Sequence, residues 1–331
     1  MNAAKKAFMS EKPSIYVEDL VIDFALDNAI FNKQYMRAVN KVSFILKAGE
    51  ALAIVGESGS GKSTCARALC RLYQPTSGNI WLQDINVNEK KNQMNQRDYA
   101  KEVQMIFQDP FGSLNAVHTI HHHLARPLKI HHPSLSVDEI EKRVIELLER
   151  VGLTPAKQTA NKYPHELSGG QRQRVSIARA LAVGANFILA DEPISMLDVS
   201  IRLGILNLME DMKQDGIGFM YITHDIATAR YFAERTAVMY VGHMVEWGNS
   251  DSVTQNPQHP YTQLLISAVP EPGIRKERTE MAKKAEIPLW KPESKGCPFA
   301  NRCLKAVEEC RESMPPVTQL AEDHFVRCYL Y

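Results

Sequence analysis

The sequence predicts an α/β fold: a sheet with crossover helices, an inserted all-helical segment and an appended tail. Three observations carry this expectation. Short apolar β-type runs alternate with helical stretches over the first 250 residues. A glycine-rich loop, Gly56 to Ser63, stands between the apolar run LAIV and a helical stretch. From about residue 109 to 180 the pattern is helical.

Taken in order, residues 15–55 read as strands (IYVEDLVIDF, AVNKVSFIL, ALAIVG) separated by polar turns. Residues 63–73 read as the helix after the loop, and VQMIF at 103–107 as a strand ending in the turn signal DPFGS. Val137, Ile140, Val144, Leu147, Leu148 and Val151 recur near helical spacing. FILAD (187–191) and FMYITHD (219–225) resume the strands, with a helix from Val199 to Asp215 between them. AVMYVGHMVEWG at 237–248 reads as a two-stranded hairpin. Beyond 250, an apolar segment with Pro260 in its first turn suits a short docking helix, and the proline- and charge-rich residues 270–295 read as a surface linker.

Composition narrows the function classes. Thirty-nine Lys plus Arg against 38 Asp plus Glu leave a net charge of +1 over 331 residues, unlike a polybasic nucleic-acid binder or an acidic disordered chain. No apolar run approaches the roughly 20 residues of a membrane span, and no signal-peptide core follows the N-terminal lysines. A soluble, unprocessed, cytosolic chain is therefore expected. Cys65 and Cys70 fall on the helix after the loop and read as buried packing residues, whereas Cys297, Cys303, Cys310 and Cys328 crowd the tail. Four clustered cysteines in a reducing compartment point to metal before disulfides.

Gly56-Glu57-Ser58-Gly59-Ser60-Gly61-Lys62-Ser63 fits G-x-x-x-x-G-K-[ST]. The glycines let backbone N–H groups face phosphate oxygens, and the helix N-terminus adds a favourable dipole. Lys62 is expected to reach the β- and γ-phosphates of ATP and the Ser63 hydroxyl to ligate Mg²⁺, with Thr64 beside it in the same site. A glycine-rich turn with an accidental lysine is the competing reading, which the flanking strand and helix disfavour. FILADEP at 187–193 is expected to deliver Asp191 to the metal and Glu192 as the general base that polarises the attacking water.

LSGGQRQR at 167–174 adds a serine and two glycines opening a helix, a second anion-binding nest. With this stretch the chain resembles the ATP-binding subunits of ABC transporters, Leu167-Ser168-Gly169-Gly170-Gln171 standing as the signature motif. The resemblance covers roughly residues 15–250 and implies an α/β P-loop NTPase core sheet with an inserted helical subdomain and an antiparallel β-subdomain. It further implies that the nest faces the γ-phosphate held by the opposite subunit, so that two ATP are sandwiched in a dimer. Gln108 resembles the Q-loop glutamine that senses Mg²⁺ and water, Asp198 the D-loop aspartate at the dimer interface, and His224 the switch histidine that contacts the γ-phosphate. Phe24 is the candidate for stacking on adenine, with Phe31 and Tyr35 as rivals. The expected domains are a nucleotide-binding domain over 12–250, with its helical subdomain at about 109–180, and a C-terminal extension over 251–331.

Gln258-His259-Pro260-Tyr261-Thr262 and the tail GCPFANRC resemble the dipeptide/oligopeptide importer ATPases. In that group four such thiolates hold a 4Fe-4S cluster, which would assign Cys297, Cys303, Cys310 and Cys328 as ligands. Zinc would accept the same four, and four unliganded thiols remain the alternative. Leu304 departs from the family pattern, which commonly has proline there. His121, His122, His123, His131 and His132 could suggest a metal site, but consecutive histidines point around a helix, so few can converge on one ion; the resemblance implies instead that this segment belongs to the groove that receives a permease coupling helix.

The expected role is thus the ATP-hydrolysing subunit of an importer of di- or oligopeptides, peripheral on the cytoplasmic face of the inner membrane. Its expected partners are two membrane permease subunits, a second, non-identical ABC ATPase and, indirectly, an extracytoplasmic solute-binding protein, with no nucleic acid. An oligosaccharide importer is the alternative, because ISMLDVSIRLGIL looks closer to that branch. A soluble non-transport ABC ATPase and a redox-sensing regulator are more remote.

Overall fold

The computed structural model describes residues 13–26, 34–89, 94–268 and 286–331. The chain divides into two compact units, Met1–Leu46, Ala51–Gln93 and Tyr221–Tyr331 forming the first, Lys47–Glu50 and Met94–Met220 the second.

The first unit opens with β1 (Ser14–Ala25), β2 (Tyr35–Lys47) and β3 (Ala51–Val55), then α1 (Lys62–Leu69), β4 (Ser77–Leu82) and β5 (Ile85–Asn86). Strands β2, β1, β4 and β5 form one sheet in that order, with β1 antiparallel to β4 and a register shift between Glu18 and Val21. The helix after the loop is shorter than 63–73 suggests: the chain turns at Cys70, whose N–H still bonds back to Ala66. Cys65 and Cys70 sit on α1 and its cap, and burial pushes both thiols up to about 12, as inert packing groups.

The second unit runs through α2 (Gln96–Glu102), β6 (Val103–Ile106), α3 (Ile120–His131), α4 (Val137–Arg150), α5 (Ala156–Ala160), α6 (Gly169–Val183), β7 (Phe187–Asp191), α7 (Val199–Gln214) and the start of β8 (Gly218–Thr223). β6 and β7 pair in parallel, and β7 is buried along its length, which is why it reads as a continuous apolar run. The helical stretch is broken by side-chain caps. Thr119 accepts from the His122 N–H, and Ser136 and Glu139 form a capping box that starts α4. Ile140, Val144 and Leu148 are the buried stripe of α4.

The chain returns to the first unit within β8 and continues through α8 (Ile226–Phe232), β9 (Arg235–Tyr240), β10 (His243–Asn249), α9 (Ser250–Gln255) and α10 (Pro260–Ser267). It ends with α11 (Glu309–Glu312), β11 (Val317–Ala321) and β12 (His324–Arg327). β3 runs parallel to β9, β9 and β10 form the expected hairpin, and β12 adds antiparallel to β10 with β11 outside it. A buried carboxylate fastens this tail. Glu246, fully buried on β10, accepts the backbone N–H groups of Gln258 and His259 at 2.8 and 2.9 Å and lies 2.8 Å from His324 Nε2. Among the described residues no helix is long and apolar enough to cross a membrane.

Candidate nucleotide site

The phosphate loop leaves the buried strand β3 and ends where α1 begins. Gly61 holds φ 100°, and a Cβ there would stand 2.3 Å from the Ala38 carbonyl oxygen, so only glycine fits. A Cβ on Gly56 would stand 2.1 Å from the Met239 carbonyl oxygen. Lys62 is buried, and its Nζ donates to the carbonyls of Gly56 at 2.7 Å and Glu57 at 2.8 Å and approaches Ser60 Oγ at 3.4 Å. Ser63 and Thr64 lie half-buried on the first turn of α1, while Ser58 and Gly59 form the exposed tip of the loop. Phe24, at the end of β1, packs edge-on against Tyr73 with centroids 5.2 Å apart. Tyr35 is exposed, and Phe31 lies outside the described residues. His224 is exposed between β8 and α8, where Asp225 caps the helix by accepting the Ala227 N–H.

The second unit carries the other candidates. Buried Asp191 ends β7, and Glu192 follows at φ 46°, a left-handed backbone that non-glycine residues seldom adopt. Gln108, just past β6, donates from Nε2 to Glu192 Oε2 at 3.0 Å. Ser168 caps α6: its Oγ accepts the Gln171 N–H at 3.3 Å while Gln171 Oε1 accepts the Ser168 N–H at 3.0 Å. This reciprocal cap leaves Gly169 and Gly170 as the bare first turn, and a Cβ on Gly170 would meet Ile201 at 2.8 Å. The segment after Gln108 is stapled to α6. Arg172 lies over the Phe111 ring at 4.2 Å, Ser113 and Ser176 hydroxyls are 3.0 Å apart, and Arg179 donates to the Ser113 carbonyl at 2.6 Å. Asp198 is the exposed N-cap residue of α7.

The histidines disperse: His121 faces Glu141 at 2.7 Å, His122 stacks on His118, His123 bonds the Asn115 carbonyl and His132 that of Val183. Among the described residues no three His, Cys, Asp or Glu side chains are gathered to hold a metal ion.

The tail cysteines share one small module in the first unit. Cys303, Cys310 and Cys328 are buried, Cys297 is half-buried, and the Cys297 N–H donates to the Cys310 carbonyl at 2.7 Å. Burial pushes the Cys297 thiol up to about 12, and the nearby Cys310, Cys328 and Cys303 push the same way.

Sequence reasoning missed the partners of Glu57. Its backbone N–H donates to Tyr261 Oη at 2.8 Å, and its carboxylate receives Arg302 Nη1 and Nη2 at 2.7 and 3.0 Å. Tyr261 was visible only as part of a stretch resembling the importer family, with no role of its own. Arg302 lies inside the quoted stretch GCPFANRC, but nothing there pairs it with Glu57, 245 positions away.

Residues 39–195 match the ABC transporter family, and residues 245–310 match the Oligopeptide/dipeptide transporter, C-terminal region. Over 329 residues the chain is 40% identical to the oligopeptide transport ATP-binding protein AppF of Bacillus subtilis, covering 97% of this chain and 98% of that one. The chain belongs to the ATP-binding proteins of the oligopeptide/dipeptide ABC transporter family. The oligopeptide transport ATP-binding protein OppF of Haemophilus influenzae is 42% identical over 320 residues, 94% of this chain and 95% of that one. Among solved structures, the ATP-binding cassette MJ0796, a dimer in a post-hydrolysis state bound to ADP and Pi, superposes with a TM-score of 0.62 at 30% identity. That match covers 71% of this chain and 98% of that one. The ABC ATPase fold and ATP hydrolysis expected from the sequence follow from this membership.

Proposed function

We propose that this chain powers import of di- and oligopeptides as the ATP-hydrolysing subunit of an ABC importer. The observation that carries the reading is the joining, in one chain, of an ABC cassette at 39–195 to the oligopeptide/dipeptide C-terminal region at 245–310. Relatives named for oligopeptide transport support peptide cargo and do not favour oligosaccharide.

The residue roles are assigned from the motifs, and the contacts of Lys62 and Gln108 support two of them. The amine of Lys62 rests on loop carbonyls, and phosphate oxygens, being charged, are the stronger acceptors for it. Gly56 to Thr64 bind the phosphates, with Phe24 assigned to the adenine. Glu192 orients and deprotonates the attacking water, Gln108 holds the Glu192 carboxylate, and His224 contacts the γ-phosphate. Ser63, Asp191 and Gln108 are assigned to hold Mg²⁺, which when bound would supply positive charge to the phosphates. The nest of Ser168, Gly169, Gly170 and Gln171 serves the ATP of an opposing ATPase, and Asp198 lies at that dimer interface. Dimer closure on ATP and reopening after hydrolysis then become the movement that two permease subunits use. A second, non-identical ATPase, a solute-binding protein on the far side, and a peripheral position on the cytoplasmic face complete the assignment.

For organisation we retain a nucleotide-binding domain over 12–250, with its helical subdomain near 109–180, and an extension over 251–331. In the extension, Cys297, Cys303, Cys310 and Cys328 are proposed to hold a 4Fe-4S cluster that braces the tail.

The test is anaerobic purification of the tagged chain from detergent-solubilised membranes, followed by ATPase assays with peptides and oligosaccharides. Recovery with two permease chains and a second ATPase, with stimulation by peptide, is expected. Recovery without a permease, or stimulation by oligosaccharide alone, overturns the reading. About four irons per chain and broad absorbance near roughly 400 nm are expected of the tail, and their absence removes the cluster alone.

A further inference from the structure

Glu57 occupies a position that the phosphate-loop pattern leaves open, yet three of its groups are engaged. Its carbonyl accepts from Lys62 Nζ at 2.8 Å, its N–H donates to Tyr261 Oη at 2.8 Å, and its carboxylate takes both terminal nitrogens of Arg302. A bidentate guanidinium–carboxylate pair fixes direction as well as distance. Arg302 is itself held: Nη1 lies 3.3 Å from Tyr240 Oη, and its guanidinium carbon sits 5.6 Å from the ring centroids of both Tyr240 and Phe299. Those rings pack on one another and on Tyr261 at centroid distances of 4.5 to 5.4 Å, so the arginine rests on a buried aromatic platform. It stands in the turn Cys297 to Cys303, where the Arg302 and Cys303 N–H groups both bond the Phe299 carbonyl at 2.9 Å.

We propose that Arg302 is a positioning residue for ATP: through Glu57 it holds the backbone of the phosphate loop in the shape that receives the phosphates, assisted by Tyr261. This rests on the reading of Gly56 to Thr64 as the ATP-binding loop. The role assigned to the pair is indirect, through the backbone of the loop. The pair restricts the loop carbonyls that Lys62 must leave and the N–H groups that phosphate oxygens must meet, so losing it costs affinity for ATP and spares the chemical step. The tail of this chain is thereby part of its nucleotide site and not only an appendage.

The experiment measures binding of ATP with Mg²⁺ to the full chain by calorimetry, and ATP KM and kcat in the permease complex, for Arg302→Met, Arg302→Lys, Glu57→Gln and the double variant Glu57→Gln/Arg302→Met. Arg302→Met is expected to raise Kd and KM about tenfold, the loss of one good charge-assisted contact, with kcat nearly unchanged. Arg302→Lys should recover part of the loss, and the double variant should bind no worse than the weaker single variant. Wild-type affinity in folded Arg302→Met, losses that add fully in the double variant, or a fall in kcat with KM unchanged would each overturn the proposal. Should Arg302→Met fail to fold, the near-isosteric Glu57→Gln decides alone: a raised KM supports the proposal, and an unchanged one refutes it. Lys62→Ala separates the underlying reading, since ATP binding that survives this change removes the phosphate-loop assignment itself.

Discussion

Gln108 Nε2 donates to Glu192 Oε2 across 3.0 Å, joining the second residue past β6 to the first residue past β7. The two strands pair in parallel from Val103 with Phe187 to Ile106 with Ala190, so both chains emerge at the same end of the ladder. The left-handed backbone at Glu192 then turns its carboxylate, and Ser195 Oγ secures the bend by donating to the Glu192 carbonyl at 3.0 Å.

The general-base role proposed for Glu192 has a specific consequence. Glu192→Gln keeps the shape and removes the proton acceptor, so ATP turnover should fall by about 10² to 10⁴ while ATP binding persists. Gln108→Ala removes one donor to the carboxylate without removing the carboxylate and should cost less. Turnover and equilibrium binding on the same preparations check both. Wild-type turnover in Glu192→Gln would remove the assignment.

The phosphate loop predicts a stability effect independent of ATP. Gly61→Ala forces a Cβ to 2.3 Å from the Ala38 carbonyl oxygen and a left-handed φ on a residue that resists it. The backbone conformation alone costs about 1–3 kcal/mol, and the steric overlap adds to that. Urea denaturation of the unliganded chain should show the loss. Alanine at Gly59, where an added Cβ meets nothing within 4 Å, should cost less.

The tail depends on Glu246. Its carboxylate satisfies two backbone N–H groups and His324 with no exposed surface, so Glu246→Ala leaves three donors, two of them on buried His259 and His324, without their acceptor. Truncating one member of such a buried set typically costs about 3–5 kcal/mol. Proteolysis should then release the residues beyond β10 first, and resistance equal to wild type would contradict the role.

How much of this was legible is a question of how local the signal is. The strand LAIV with its glycine loop and the strand FILAD with its acidic pair each announce themselves within a dozen residues, because burial on both faces demands a continuous apolar run. β4, SGNIWL, does not: it mixes polar residues with apolar ones and pairs with β1 across an irregular register. β11 has no buried residue at all, being held as an outer strand by its ladder to β12. The pair between Glu57 and Arg302 was beyond reach because nothing in either segment encodes the other.

Buried neutral histidines set the response to acid. His243 lies between a backbone carbonyl and an amide: Nδ1 is 2.6 Å from the Val241 oxygen and must donate, so Nε2 accepts from Asn40 Nδ2 at 2.7 Å. His259 Nδ1 accepts the Tyr261 N–H at 3.0 Å, so a proton on that nitrogen would break the cap of α10. Burial, the leading cause in both, lowers His243 to about 4 and His259 to about 3 from the ordinary 6.5. Because the folded values lie below the unfolded one, the unfolded chain binds more protons between them. The associated stability is present above about pH 6.5 and is lost as pH falls toward the folded values. Between pH 7 and pH 5 each histidine should cost about 2 kcal/mol. Denaturation midpoints of wild type and His243→Gln across that range give the test. The variant starts less stable, having lost the Asn40 contact, but should lose less on acidification, and an identical loss in both would refute the assignment.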